Sequence, residues 1–496
     1  MARPEPLTRA RRRLAGWTVA VLVFAAAPAL HAQGPPEAQV AGAGANGVPA
    51  ASPGLNLSAA QNPFLGGVVA GQATPGVVPL SLADAIARGL KQNLGAVIGE
   101  QATRTASANR LMALNGLLPN AYGRVGEARQ VVNLAAYGFP LPPGTNPLVG
   151  PLDVVDARVY VSQTIFNWSA IQSARAGGEA VKAATYSYRD ARDGVVFTVA
   201  SLYLAAVTGA SQIEAVQAQV KTAQALYDRA TDLKTSGMVP AIDVLRAQVQ
   251  LQAQQQRLIF HRNEFAKRKL ALARAIGLPL DQQFDLSDKV PYAALAPASL
   301  DESLKQACAS RADLQAAQAL VRAAEDTRRA ALGSALPSVG LTADIGTIGL
   351  TTSPALRTYS IAAGVRIPIF EGTTVRARVL QADAALQQQR AQLDDLRARV
   401  DYEVRTALLD LKAADDRVQV ARGAVDLASQ QLAQAQDRFS AGVASNLEVV
   451  QAQEAVATAS DNCLSSLHAH NLAKISLARA LGVAEADASR FLGGTP

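Results

Sequence analysis

Residues able to hold a metal or attack a substrate are scarce: the chain has four histidines and two cysteines in 496 residues. Cys308 and Cys463 are too few for a disulfide framework in a chain this long. They read as two small buried hydrophobes, the alternative being a single bridge whose geometry sequence does not hold. His468 and His470 sit two apart on an expected helix, so they point to different faces and make a poor metal pair. His31 belongs to an export signal, which leaves His261 by itself. There is no Walker loop, no nucleophile elbow and no clustered Cys/His set, so neither an enzyme nor a cofactor or metal site is expected.

Positive charge is also scarcer than it first looks. Residues 1–32 combine Arg9, Arg11, Arg12 and Arg13 with the apolar run Leu14 to Leu30 and a small residue at Ala32, the pattern of a removable signal peptide. Five arginines of this segment against Glu5 carry +4 of the formal +7, leaving +3 for the mature chain. Nucleic-acid binding loses its main support. No cysteine follows the cleavage point to take a lipid. Residues 33–79 are rich in Gly, Pro and Ala, lack a periodic apolar face, and read as a flexible leader, ordered at most in part along the outside of the body.

What the chain does have is a repeat. A shift of 205 residues sets TSGMVPAIDVLRAQ (235–248) on SAGVASNLEVVQAQ (440–453), and LARAIGLPL (272–280) on LARALGVAE (477–485), without a gap between the two matches. QTIFNW (163–168) lies against IPIFEG (367–372), and LLPNAYG (117–123) against ALPSVGL (335–341), at slightly different offsets. The body is therefore two copies, 80–285 and 298–485, followed by a tail over 486–496. Each reads helix, two strands, long helix, tight turn, long helix.

Strands are expected over 121–134 and 154–166 in the first copy and over 337–350 and 358–370 in the second. Val339, Leu341, Ala343 and Ile345 alternate with polar or small residues, as do Val155, Ala157, Val159 and Val161, whereas 121–134 alternates poorly. Helical hairpins are expected over 168–276 and 373–482. Thr373 to Ser440 has no proline, and Leu386, Leu393, Leu396, Val400, Val404, Leu408 and Leu411 form the stripe of a coiled-coil-like packing. One span imitates a membrane helix: Gly194 to Ile213 has no charged residue. Its counterpart, Arg399 to Val418, is too charged to enter lipid, so both read as helix-packing faces.

The fold class expected is mainly α with a membrane β-barrel portion. Four strands with one apolar and one polar face suit lipid outside and water inside, yet four cannot close, and an open edge in hydrocarbon leaves backbone groups unsatisfied. Identical copies must supply the missing strands, and a trimer gives twelve. Tyr122, Tyr160 and Tyr359 are candidates for the water–lipid boundary. The Pro-rich run 136–151 and the shorter 351–357 become outer loops.

The doubled order of elements, the junctions at Phe166 and Phe370, and the turns around Gly237 and Gly442 followed by DVLRAQ and EVVQAQ resemble the TolC-like outer-membrane efflux family over 80–485. The resemblance implies a homotrimer with a twelve-stranded barrel in outer-membrane lipid and a long α-helical tunnel, joined to an inner-membrane transporter by a periplasmic adaptor. It also implies a gate of acidic rings just after the second turn, at Glu448 and Gln451, of which only the first is acidic. Without that resemblance Glu448 reads as a solvated first-turn carboxylate, stabilised by about 0.3 to 1 kcal/mol at a helix N-terminus. Positions that form a polar latch in the best-known member correspond here to Phe439 and Ala444, neither able to make such bonds, while Asp243 matches. Closure is then expected to rest on packing or other pairs, with a less tightly locked resting state. The turns at Gly237 and Gly442, with Phe439 and Ala444, are the expected adaptor-docking tips. A periplasmic adaptor or other coiled-coil protein would share the long helices but not the duplicated strand pair.

Overall fold

A computed structural model describes residues 62–138, 140–288, 299–350, 355–441, 443 and 445–487. The expected signal segment, the expected leader up to residue 61, Gly442, Ala444 and the tail from residue 488 lie outside the described residues.

Two copies of one element series follow each other. The first is β1 (Val78–Leu80), α1 (Leu82–Gln92), α2 (Leu94–Asn115), β2 (Asn120–Asn133), β3 (Leu148–Phe166), α3 (Trp168–Thr235) and α4 (Ala241–Ala275). The second is β4 (Phe284–Leu286), α5 (Leu300–Ser310), α6 (Ala312–Gly333), β5 (Ser338–Gly349), β6 (Leu356–Arg366), α7 (Thr374–Ser440) and α8 (Asn446–Ala480). β1 and β4 pair in parallel, tying the starts of the two copies together. With 68 and 67 residues, α3 and α7 each extend about 100 Å. Asn167 caps α3 through its side-chain oxygen, which accepts from the Ala170 N–H at 3.0 Å.

The structure departs from the sequence reading in each copy's first helix, which breaks into two at Asn93 and Arg311, both in extended conformation. Asn93 is a capping residue type and Arg311 is not, and tertiary bonds hold both. The Asn93 amide donates to the carbonyls of Phe64 at 2.7 Å and Ala275 at 2.9 Å, and its oxygen accepts from the Gly95 N–H. At the equivalent place Arg311 donates to the Ala480 carbonyl and forms ion pairs with Asp313 and Glu403. Gly277 (φ +68°) and Gly482 (φ +70°) close the helices opposite each break, and a Cβ on Gly482 would stand 2.8 Å from the Arg311 Cα. Both the left-handed φ and the close approach call for glycine.

The leader is more ordered near its end than composition suggested. Pro63–Leu65 form a 3-10 turn, the Val68 N–H donates to the Gln92 carbonyl at 2.8 Å, and the Leu94 N–H donates to the Gly66 carbonyl at 2.9 Å. The Phe64 ring lies where a Cβ on Gly95 would come within 2.5 Å of it and one on Gly194 within 3.3 Å. Phe64→Ala should therefore release this strap, and we expect amide exchange at Val68 and Leu94 to accelerate about tenfold with the rest of the chain unaffected.

The uncharged span of α3 is the centre of the body. Val195, Val196, Val199, Ala200, Tyr203 and Leu204 are buried, packed on α1, α4 and α8. The Tyr203 hydroxyl donates to the Leu80 carbonyl and lies 2.8 Å from Asp288, and burial raises its pKa. Although α3 is long and apolar enough to cross a membrane, more than half of that window is inside the protein. Cys308 and Cys463 are free; Cys308 is exposed on α5 and Cys463 only half-buried on α8, so the expectation of two buried hydrophobes fails.

Candidate functional site: the open sheet and the hairpin tips

The four long strands form one antiparallel sheet in the order β2-β3-β5-β6, and among the described residues it does not close on itself. Register sorts its side chains into two faces. One carries Val155, Val159, Val161, Ala343, Ile345, Tyr359, Ile361 and Val365, of which Tyr359 and Ile361 are more than two-thirds exposed. The other carries Arg124, Asp156, Arg158, Tyr160, Ser162, Thr342, Asp344 and Ser360. β2 alternates poorly in hydrophobicity yet pairs along its length, because β3 supplies the ladder.

Toward the outer loops the apolar face ends at an ion pair between Arg129 and Asp153 at 3.6 Å. From Val155 to Val161 the apolar stretch of β3 runs about 20 Å along the strand, and Gln163 then interrupts that face, its amide donating to the Leu117 carbonyl at 2.8 Å. Tyr359 lies on this face, but Tyr122 and Tyr160 do not. They stack on the polar face with ring centres 5.1 Å apart, since their register parity matches Arg124 and Arg158. A boundary role for those two is thereby excluded.

At the other end of the molecule are the two helix-to-helix turns. Gly237 has φ +73°, its N–H donates to the Lys234 carbonyl, and the Met238 N–H donates to the Leu233 carbonyl at 2.8 Å. This is a Schellman closure, which satisfies the last carbonyls of α3 and favours glycine for its backbone alone, because among the described residues nothing lies within 4 Å of its Cβ position. At the second turn the Val443 N–H donates to the Arg438 carbonyl at 3.0 Å, the equivalent outer bond.

Glu448 and Gln451 share one face of α8, a helical turn apart, half-buried and exposed respectively. The Glu448 carboxylate is 3.4 Å from Arg438 at the end of α7, so it braces its own hairpin as well as standing at a helix N-terminus. Asp243 is not on an open surface: it is buried, 3.3 Å from Arg246, and its backbone carbonyl accepts from the Asn446 amide at 2.9 Å. Phe439 is buried too, and is thus no part of a docking surface. Helical spacing puts it on the stripe of Leu432 and Ala435, where it packs on Leu226 and Leu233 of α3 and on Val449 of α8.

Sequence reasoning missed two residues that join the hairpins. Asn446 resembles a helix cap but caps nothing; fully buried, it reaches across to α4. Arg257 of α4 pairs with Glu454 of α8, a contact between residues 197 apart in sequence that no local pattern announces. Met238 and Ile242 in the first tip and Val443 and Leu447 in the second, related by the same 205-residue shift, remain exposed. His468 faces Thr208 of α3 while His470 faces Asp415 of α7, and burial lowers the pKa of both imidazoles.

The family model described as outer membrane efflux protein matches residues 151–278 and 303–483. Among curated relatives, outer membrane efflux protein BepC of Brucella suis is 29% identical over 208 residues, 41% of this chain and 46% of BepC. The chain thus spans about half the length of that relative. Two solved structures share the fold: the outer-membrane channel OprN, with a TM-score of 0.71 at 18% identity over 81% of this chain and 89% of that one, and VceC of Vibrio cholerae, with 0.69 at 20% identity over 81% and 96%.

Proposed function

Because the chain belongs to the outer membrane efflux protein family, we propose that it is a non-catalytic, trimeric outer-membrane channel that passes solutes from a periplasmic adaptor and an inner-membrane transporter to the exterior. One observation carries this reading: a single sheet with an apolar face, a polar face and two unpaired edge strands, β2 and β6. Such a sheet is untenable in lipid unless its edges are paired, and three copies supply twelve strands with every edge satisfied. The helical hairpins continue the pore on the periplasmic side, and no nucleic acid takes part.

At the hairpin tips, Glu448 supplies the one acidic ring of the gate, tempered by Arg438, with Gln451 forming a neutral ring a turn further in. Closure rests on the Phe439 cluster, the Asn446 bond and the Arg257–Glu454 pair, in place of a polar latch at Phe439 and Ala444. The tips at Gly237 and Gly442 dock the adaptor through the exposed apolar residues Met238, Ile242, Val443 and Leu447. Asp243 serves the contact between hairpins rather than the pore wall.

The test is fractionation followed by planar-bilayer recording. Heat-modifiable trimers in the outer-membrane fraction, with discrete conductance steps from the purified protein, are the expected result. A stable monomer in detergent, or a soluble periplasmic protein, would sink the reading and favour an adaptor.

A further inference from the structure

The polar face of the sheet holds a charge cluster far from the hairpin tips. Midway along β3, the Arg158 guanidinium donates through Nε to Asp156 at 2.7 Å and through Nη1 to Asp344 of β5 at 2.6 Å. Asp156 and Arg158 are two apart on one strand and so share a face, and Asp344, the register partner of Tyr160, is the diagonal neighbour of Arg158. The Arg158 and Asp344 side chains are only 17% and 19% exposed, so the pair lies along the sheet instead of projecting from it.

Room for this arrangement comes from Gly346, the residue directly opposite Arg158 on β5. A Cβ there would stand 2.5 Å from the Arg158 Cγ and 2.2 Å from the Ala157 carbonyl oxygen, so any side chain would displace the guanidinium stem. On the other side, Arg158 is in register with the exposed Arg124 of β2. Two arginines thus stand against two aspartates, and the cluster is charge-balanced within each chain.

We propose that Arg158 and Arg124 with Asp156 and Asp344, seated over Gly346, form a charge-balanced belt around the barrel lumen that sets the preference of its outer half between cations and anions. This rests on the trimeric-channel reading, in which the polar face lines water. Three copies repeat the belt, so neutralising one aspartate per chain leaves three uncompensated positive charges on the wall, and neutralising Arg158 leaves three negative ones. A pore wall selects by such fixed charge at close range. The belt is independent of Glu448, which lies at the opposite end of the molecule, and the ligands it discriminates are small ions and charged solutes.

The test is the zero-current potential across a planar bilayer under a potassium chloride gradient, for trimers of the wild type, Asp344→Asn, Asp156→Asn, Arg158→Gln and Glu448→Gln. We expect both aspartate variants to shift toward anion preference and Arg158→Gln toward cation preference, each by at least about twofold in permeability ratio at low salt, where screening is weak. Opposite signs are the signature, because a merely structural disturbance has no reason to reverse direction with the charge removed. Wild-type potentials in all three belt variants, alongside a shift in Glu448→Gln, would overturn the belt and leave the channel standing. Absence of conductance in every protein, wild type included, would overturn the channel reading and the belt together.

Discussion

Phe439→Ala, combined with Asn446→Ala, is expected to raise single-channel conductance at least about tenfold and to sensitise cells to large hydrophilic solutes. The Phe439 ring fills a cluster joining α7 and α8 to Leu226 and Leu233 of α3, and emptying a site of this kind costs about 3 kcal/mol. Removing the Asn446 amide deletes the cross-hairpin bond to the Asp243 carbonyl, which keeps its own partner within α4, and costs about 1 kcal/mol more. Arg257–Glu454, about 40% exposed on both sides, is screened by solvent and contributes less than about 1 kcal/mol. In a symmetric assembly these costs recur in every copy. The closed state would have to be several kcal/mol more stable than the open one to absorb them without a population shift. Unchanged conductance in the double variant, with trimers intact, would show that these contacts do not hold the tips together.

Loss of the Arg311 side chain should be the most damaging single change in the body. The guanidinium is 5% exposed and bonded to Asp313, Glu403 and the Ala480 carbonyl, so Arg311→Ala leaves buried acceptors without their donor. The expected cost is about 3 kcal/mol, at the low end for a buried pair because Glu403 keeps contact with water. Burial alone would push the Asp313 carboxyl up, but the Arg311 hydrogen bond and charge outweigh it and hold its pKa below the usual carboxylate value. A depressed carboxyl contributes stability that is present above the unfolded pKa, about 4, and lost as pH falls through the lower folded value. In the variant that contribution disappears. Thermal unfolding from pH 7 down to pH 3 should therefore begin from a lower midpoint and fall less steeply than in the wild type. Parallel curves would show that Asp313 does not depend on Arg311.

Much of the architecture could be read from the chain. The 205-residue shift located both hairpins and paired Gly237 with Gly442, because a tight turn between long helices leaves a local mark in glycine and in the apolar start that follows. The alternation of β3 and β5 was legible for the same reason: a half-exposed strand writes its two faces as a period of two. β2 was harder, since its residues obey the ladder of β3 more than their own pattern. The helix break at Arg311 left no local mark, because it is held by a residue far away in sequence, Ala480, whereas Asn93 has the capping residue type but is fixed by the distant Ala275 carbonyl as well.

The candidate site divides along the same line. Glu448 and Gln451 could be placed on one face of α8 from spacing alone, whereas the pairing of Glu448 with Arg438 required the fold. Phe439, placed at the tip by sequence, is instead buried against α3, and Asn446, which has the composition of a cap, bonds across to the other hairpin.

By itself, then, the sequence determined where the long hairpin helices and the alternating strands fall and that the body is built twice, since period and turn chemistry act within a few residues. Only the tertiary structure decided which face of each element meets which other, including the seating of Arg158 over Gly346 and of Asn446 on Asp243. Those choices depend on distances between residues about 200 positions apart, and a one-dimensional pattern carries no term for them.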